Sequence, residues 1–243
     1  MPGQYRKITA ADGSEFQGYV AVPESGKGPG LVLIQEIFGV NQHIRDVADR
    51  YAQEGYVVLA PDIFFRMEPG VELGYEGADF EKALGFYERY DEELTVKDIA
   101  DSVRTLRSWP ECTGKVGALG YCLGGKLAML AASRCGVDAA VSYYGVNIEQ
   151  RLDDLKNIKC PVVMHFGETD ELVPPAAFEQ IKSVCKVKEN IDLHVYPGVG
   201  HGFNCAPRAS YNREAAELAY SRTLDALRLE LGLRLDLKSP ART

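Results

Sequence analysis

No stretch of this chain is apolar for the roughly 18 to 20 residues that cross a bilayer. Its first residues, Met1-Pro-Gly-Gln-Tyr-Arg-Lys7, lack the apolar core of a secretory signal. Positive charge is scarce as well. The net charge of −8 argues against a nucleic-acid or anionic-membrane surface, since both need concentrated Lys and Arg. The six cysteines, at 112, 122, 135, 160, 185 and 205, contain no Cys-x-x-Cys pair and no His at ligand spacing. Neither a zinc site nor a disulfide framework is expected, and free thiols suit a reducing, cytoplasmic setting. Internal repeats, low-complexity segments and a domain-splitting linker are also missing.

What is present is 46% hydrophobic and 26% charged residues, the balance of a soluble globular chain. A length of 243 residues is ordinary for one α/β domain. The expected domain covers residues 1–232, with 233–243 a frayed tail lacking periodic pattern. Tyr5 to Val22 alternates around Asp12-Gly13 and predicts a β-hairpin. Leu31–Ile34 and Tyr56–Ala60 are continuous apolar runs, the mark of strands buried on both faces, and an amphipathic helix over Asn41–Glu54 lies between them. Right-handed strand–helix–strand crossovers build a parallel sheet. Residues 63–77 form a long irregular segment before a helix from Ala78 to about Tyr90, which is either a cap over a pocket or a solvated insertion. Further helices are expected from a Thr95 cap to Ser108, from Pro174 to Lys186 and from Arg208 to Leu231. Strands are expected over Val137–Tyr144, Cys160–Phe166 and Ile191–Tyr196.

The chain is organised around Lys115-Val-Gly-Ala-Leu-Gly-Tyr-Cys-Leu-Gly-Gly-Lys126. An apolar strand runs into a turn over Gly120–Gly124, and a helix follows from Gly125 to Ala132. Glycines two before and two after Cys122 remove the Cβ atoms that would collide in a strained corner, so the thiol stands at its apex. The Leu123 amide opens the helix and can donate to an oxyanion, while the helix dipole favours negative charge on the sulfur. The same pattern also fits a small buried hydrophobe at a strand–helix junction.

Ligands of an open α/β sheet sit beyond the carboxyl ends of its strands. Strand-end loops here carry Glu36, Cys122, the acidic run Glu168-Thr-Asp-Glu171 and His201. A thiol nucleophile needs a base, and the base needs an orienting group. Of the four histidines, His165 and His194 lie within strands, and His43 near a helix start reads as a surface group. His201, in Gly198-Val-Gly-His-Gly-Phe203, is free of backbone bulk and is the expected base. Asp170 is the expected acid, with Glu168 and Glu171 solvated or capping beside it. Nucleophile, acid and histidine then follow one another in the order of the α/β-hydrolase fold.

At this point the sequence resembles the dienelactone hydrolases (carboxymethylenebutenolidases) from about residue 5 to 230. The resemblance rests on Gln35-Glu-Ile-Phe-Gly39, Ala60-Pro-Asp62, Gly120-Tyr-Cys-Leu-Gly-Gly125, Gly167-Glu-Thr-Asp170 and Gly200-His-Gly-Phe203. It implies a Cys122, Asp170, His201 triad, oxyanion donors at the backbone N–H of Leu123 and Ile37, and a Glu36 that hydrogen-bonds the resting thiol and helps its activation. It further implies a small ester or lactone substrate, an acyl-thioester intermediate, and no metal or cofactor. Dienelactone-cleaving members hold the substrate carboxylate with two Arg. Here Glu81 falls near the first of those positions and Cys205 at the second. Arg66, Lys82 and Arg208 are the cations expected to compensate, and Phe38, Tyr121 and Phe203 are expected to line the pocket. The rival readings are a broader carboxylesterase or thioesterase of the same fold, and a non-catalytic binding or thiol-sensing member. The sequence leaves the oligomeric state open.

Overall fold

In a computed structural model that describes residues 3–233, eight strands form one sheet in the order β1-β2-β4-β3-β5-β6-β7-β8. The hairpin β1 (Gln4–Thr9) and β2 (Glu15–Ala21) is antiparallel and joins β4 (Val57–Pro61) antiparallel, while β3 (Gly28–Ile34) pairs parallel with both β4 and β5 (Cys112–Tyr121). Strands β6 (Ala139–Tyr143), β7 (Val162–Gly167) and β8 (Ile191–Tyr196) extend the parallel array. The order turns at β3: β4 lies on one side of it and β5 on the other. The loops after β3 and β5, carrying Glu36 and Cys122, are thereby brought side by side at the carboxyl end of the sheet.

Both sheet faces are covered, which explains the unbroken apolar runs. Along β3, Leu31 and Leu33 point into the core beneath α1 (Gln42–Gln53) and α7 (Arg213–Leu231). Val32 and Ile34 point into the opposite core, beneath α3 (Glu92–Ser108) and α4 (Leu123–Arg134). Each buried aliphatic side chain contributes about 1.5–3 kcal/mol, so this strand is fixed by its two faces and not by β-propensity alone. Between β4 and α3, the 62–76 segment leads to α2 (Gly77–Arg89), and α6 (Pro175–Cys185) lies between β7 and β8.

Several local expectations shift. The turn is tighter than five residues: β5 runs to Tyr121, α4 begins at Leu123, and Cys122 alone makes the corner. Asp91, not Thr95, caps α3 by accepting the Leu94 N–H at 2.9 Å, and Thr95 is buried in the first turn. The last helix starts at Arg213, where Asn212 accepts the Ala215 N–H, leaving Arg208 in the preceding loop. A 3-10 turn (Ile148–Arg151) and a short helix, α5 (Leu152–Asn157), follow β6 where no element was expected. Apart from Leu233, whose N–H caps α7 at Arg228, the expected frayed tail lies outside the described residues. No described helix is long and apolar enough to cross a membrane.

One buried charge pair ties α3 to α4. The Lys126 ammonium on α4, only 5% exposed, pairs with Glu92 and donates to the Tyr90 hydroxyl at 2.9 Å; Glu92 also holds Arg151 at 2.6 Å. Removing one partner of a buried pair strands the other charge at a cost of about 3–5 kcal/mol. Glu92→Ala strands Lys126, whereas Lys126→Met leaves Glu92 paired with Arg151. Thermal melts are therefore expected to place E92A below K126M, with E92A down by roughly 6–20 °C.

Candidate active site

Cys122 has φ 55° and ψ −115°, a conformation a side chain adopts only when its surroundings impose it. The corner is closed by its own backbone: Cys122 N–H donates to Tyr143 O at 3.0 Å, and Cys122 O accepts from Gly125 and Lys126 at 3.0 and 3.2 Å. A Cβ at Gly120 would fall 2.0 Å from Gly124 O, and one at Gly124 would fall 2.3 Å from Ile34 O. The flanking glycines are thus required by contact between three backbones, with φ freedom playing no part at either position.

His201 and Asp170 come from the loops after β8 and β7. Their side chains are buried, with Nδ1 of His201 2.9 and 3.2 Å from the two Asp170 oxygens. Asp170 Oδ1 also accepts the Leu172 N–H at 2.9 Å, so the carboxylate is fixed from its own loop. The loops are stitched together. Thr169 N–H donates to Val199 O at 3.0 Å, and the Glu168 carboxylate accepts the Gly198 N–H at 2.9 Å. Glu168 is exposed, as expected, and from that surface position also clamps the two loops.

With Nδ1 donating to Asp170, the other ring nitrogen is left for chemistry. Nε2 is buried and has no hydrogen-bond partner among the described residues. Burial lowers the His201 pKa, but the charge of Cys122 and the bond to Asp170 outweigh it and raise the ring to about 10. The imidazole and the sulfur are thus electrostatic partners. His165, by contrast, is a core histidine as expected: burial holds it well below the ordinary range, and it bonds Tyr196 at 2.9 Å and Thr223 at 3.0 Å. His43 is no free surface group. It is half-buried, its pKa lowered by burial and raised in part by the charge of Glu36.

Above Cys122 is a cleft of about 250 Å³ lined by Ile37, Leu84, Tyr87, Val146, Asn147 and Leu172. Leu84 and Tyr87 belong to α2, so this helix roofs the thiol, and Asn147 Nδ2 donates to the Tyr87 hydroxyl at 2.5 Å. Ile37 shares the cleft with the thiol, and Leu123, as the first residue of α4, has no intrahelical partner for its N–H. Glu36, next to Ile37 in the chain, is 1% exposed, with Arg208 Nη1 3.5 Å from Oε1. Neither Glu36 oxygen has a hydrogen-bond partner among the described residues, the Cys122 thiol included; the expected Glu36–thiol bond is not formed in this conformation.

The structure does not bring the remaining candidates to the thiol. Arg66 is held by Asp98 at 2.7 and 2.8 Å and by Asp12 at 2.9 Å. Lys82 pairs with Glu68 at 2.8 Å on the surface. Tyr121 lies on the α1/α7 side of the sheet with its ring 4.8 Å from Tyr143, and Phe203 is buried among Tyr143, Tyr144 and Tyr196. Phe38 is buried against Tyr75, below the Arg208 guanidinium. Of the expected cations only Arg208 reaches the site, because the late start of α7 leaves it in a turn that folds back over Gly202. Tyr87, Asn147, Leu172 and Tyr144 were missed: the first three are loop or helix-face residues, and Tyr144 read as the last residue of a strand. Among the described residues no cluster of His, Cys, Asp and Glu is arranged to hold a metal ion.

A mostly parallel sheet, a cysteine at a strained strand–helix corner, and a histidine and acid from the last two strand-end loops define an α/β hydrolase. A family model described as the dienelactone hydrolase family matches residues 16–231. The chain is 38% identical over 237 residues to a protein of Azospirillum brasilense, spanning 93% of this chain and 98% of that one. It is 36% identical over 221 residues to the carboxymethylenebutenolidase of Pseudomonas putida, spanning 90% and 94%. A crystal structure from Klebsiella pneumoniae shares the fold with a TM-score of 0.82 at 24% identity, covering 96% of this chain and 99% of that one. The chain belongs to the dienelactone hydrolase family, hydrolases of ester and lactone bonds.

The coupling between the sulfur and the ring can be measured. Cys122→Ala removes a charge that raises His201 while leaving Asp170 in place. Ring-proton NMR is expected to show the His201 midpoint well below its wild-type position.

Proposed function

We propose that this protein hydrolyses a small ester or lactone by nucleophilic catalysis at Cys122. The observation that carries the reading is the buried alignment of Cys122, His201 and Asp170 beneath an apolar cleft. Cys122 passes its S–H proton to Nε2 of His201, and the resulting thiolate attacks the carbonyl carbon as the electron pair of the C=O bond moves onto oxygen, where the Leu123 and Ile37 amides are the donors. Collapse expels the alkoxide or enolate, which takes a proton from Nε2 of His201. Water then gives a proton to Nε2 and attacks the thioester; the sulfur leaves and the acid is released. Asp170 keeps the ring in the tautomer that presents Nε2 to the sulfur. No step calls on a metal or cofactor.

Substrate class follows from the wall of the site. The cleft around Cys122 is apolar, with Ile37, Leu84, Val146 and Leu172, which suits an acyl group of few carbons. Arg208, a charge partner 3.5 Å from Glu36 and over Phe38, is the cation open to a substrate carboxylate. The second reading, a broader carboxylesterase, is favoured by that single cation and by the apolar roof. Six unpaired cysteines agree with action in a reducing cytoplasm, and one sheet running from β1 to β8 agrees with a single catalytic domain.

Cys122→Ala is expected to lower kcat on aryl esters and lactones by at least a thousandfold, and His201→Gln is expected to accumulate a Cys122 acyl adduct visible by intact-protein mass. Full activity in C122A would overturn the proposal. Arg208→Gln is expected to raise KM about tenfold or more for a carboxylate-bearing lactone while leaving neutral esters within twofold, since a hydrogen bond to a charged group is worth about 1.5–3 kcal/mol. Equal effects on both substrates would assign Arg208 to the fold and leave the broader esterase.

A further inference from the structure

The apolar wall of the cleft divides into two kinds of residue. Ile37 and Val146 are buried, at 8% and 5% exposure, whereas Leu84 and Leu172 stand 39% and 50% exposed at its mouth. Phe80, 36% exposed, continues the same lip: Phe80, Leu84 and Tyr87 are spaced i, i+4 and i+7 along α2 and share one stripe of the helix. Large apolar side chains gathered in the open are costly to leave wet, and such patches mark places where something binds. This patch opens onto the thiol. Among the described residues no charged side chain lines the cleft, so what binds there is neutral as well as apolar.

Two contacts fix which part of a substrate meets the lip. Leu172 N–H donates to Asp170 Oδ1 at 2.9 Å, and Nδ1 of His201 lies 3.2 Å from the same oxygen. Leu172 therefore stands on the imidazole side of the cleft. Tyr144 packs edge-on against that ring, with centroids 5.0 Å apart, so the place of the imidazole is set. The departing oxygen of an ester must lie on the same side, because it takes its proton from Nε2 as the C–O bond breaks. On α2 the Tyr87 hydroxyl accepts from Asn147 Nδ2 at 2.5 Å, which pins the helix over the site. The trough between Leu84 and Leu172 is thus formed before a substrate arrives.

We propose that Leu172, Leu84 and Phe80 form a leaving-group subsite that selects acyclic esters of apolar alcohols. The inference relies on Cys122 being the nucleophile and His201 its proton donor. The acyl carbons occupy the buried inner end, against Ile37 and Val146, and the alkyl chain of the alcohol runs outward along the lip. That chain covers the three exposed side chains only until acylation is complete. Once Cys122 carries the acyl group, the neutral alcohol departs and the lip is open to water for the second half of the reaction. A lactone keeps its alcohol tethered to the acyl group and gains less from the lip.

Two homologous series of esters separate the ends of the substrate. In alkyl acetates from ethyl to hexyl the alcohols differ little in acidity and every member forms the same acetyl-enzyme, so kcat/KM reports only steps in which the alcohol is still present. Wild-type kcat/KM is expected to rise about threefold per methylene, most of the gain for a CH2 taken out of water. Ethyl esters lengthened on the acyl side are expected to lose activity beyond about four carbons, because the inner end is enclosed. Leu172→Ser keeps the backbone N–H that binds Asp170, and is expected to flatten the alcohol series to about 1.5-fold per methylene or less while the acyl series keeps its profile. Phe80→Ser, one turn further out on α2, is expected to flatten the series only for the longest alcohols, and tests the lip even if L172S folds poorly. A wild-type acyl slope steeper than the alcohol slope, equal losses in both series, or an alcohol slope unchanged in both variants would overturn the proposal. So would an intact slope in L172S with a shift from dimer to monomer on sedimentation, which would make the lip a contact between copies of this chain. Wild-type protein that turns over no ester of either series would overturn the hydrolase reading as well.

Discussion

Three backbones meet at the Cys122 corner, and the rest of the site depends on that contact. The end of β5, the start of α4 and the end of β3 approach so closely that no Cβ fits at Gly120 or Gly124. The thiol is therefore lifted off the sheet, the first amide of α4 is left without an internal partner, and Glu36, two residues beyond β3, follows the strand paired beside the corner. Strain at one residue persists because so much packing around it is fixed: α4 is buried from Leu123 to Ala132 and braced by the Lys126–Glu92 pair. A corner of this kind needs a rigid frame, and the two-sided core provides it.

His201 and Asp170 reach the corner from strands on the far half of the sheet. The parallel order β5-β6-β7-β8 stacks the strand ends in sequence, so the loops after β7 and β8 converge on the same end of the sheet as the corner. The His201–Asp170 contact is short and buried because both loops are also tied to each other. Electrostatics then follows from placement: a ring enclosed by protein would ordinarily shed its proton, yet a sulfur and a carboxylate beside it reverse the balance.

Much of this was legible in the sequence because period and punctuation carry it. Continuous apolar runs marked the strands buried on both faces, and glycines at fixed offsets marked the corner. The order of Cys122, Asp170 and His201 followed from strand-end placement. The illegible parts depend on which way a side chain leaves a loop. Arg66 and Lys82 had the right charge, but nearby carboxylates claimed both. Arg208 reached the site because α7 begins five residues later than its apolar pattern suggested, a boundary set by Asn212 as cap. Tyr121 and Phe203 sit inside motifs yet face the core, since a motif constrains backbone as often as it presents a side chain. Tyr144 was hidden because its positive φ breaks the alternation by which strand residues are assigned to faces.

The Glu168–Gly198 and Thr169–Val199 bonds make one mechanical body of two loops far apart in the chain. A disturbance to either moves imidazole and carboxylate in concert, so their mutual spacing survives shifts that would alter their distance from the sulfur. Substitutions around β7 and β8 would then tune the spacing between His201 and Cys122 without loosening the His201–Asp170 contact, which separates two tolerances that a single loop would have coupled.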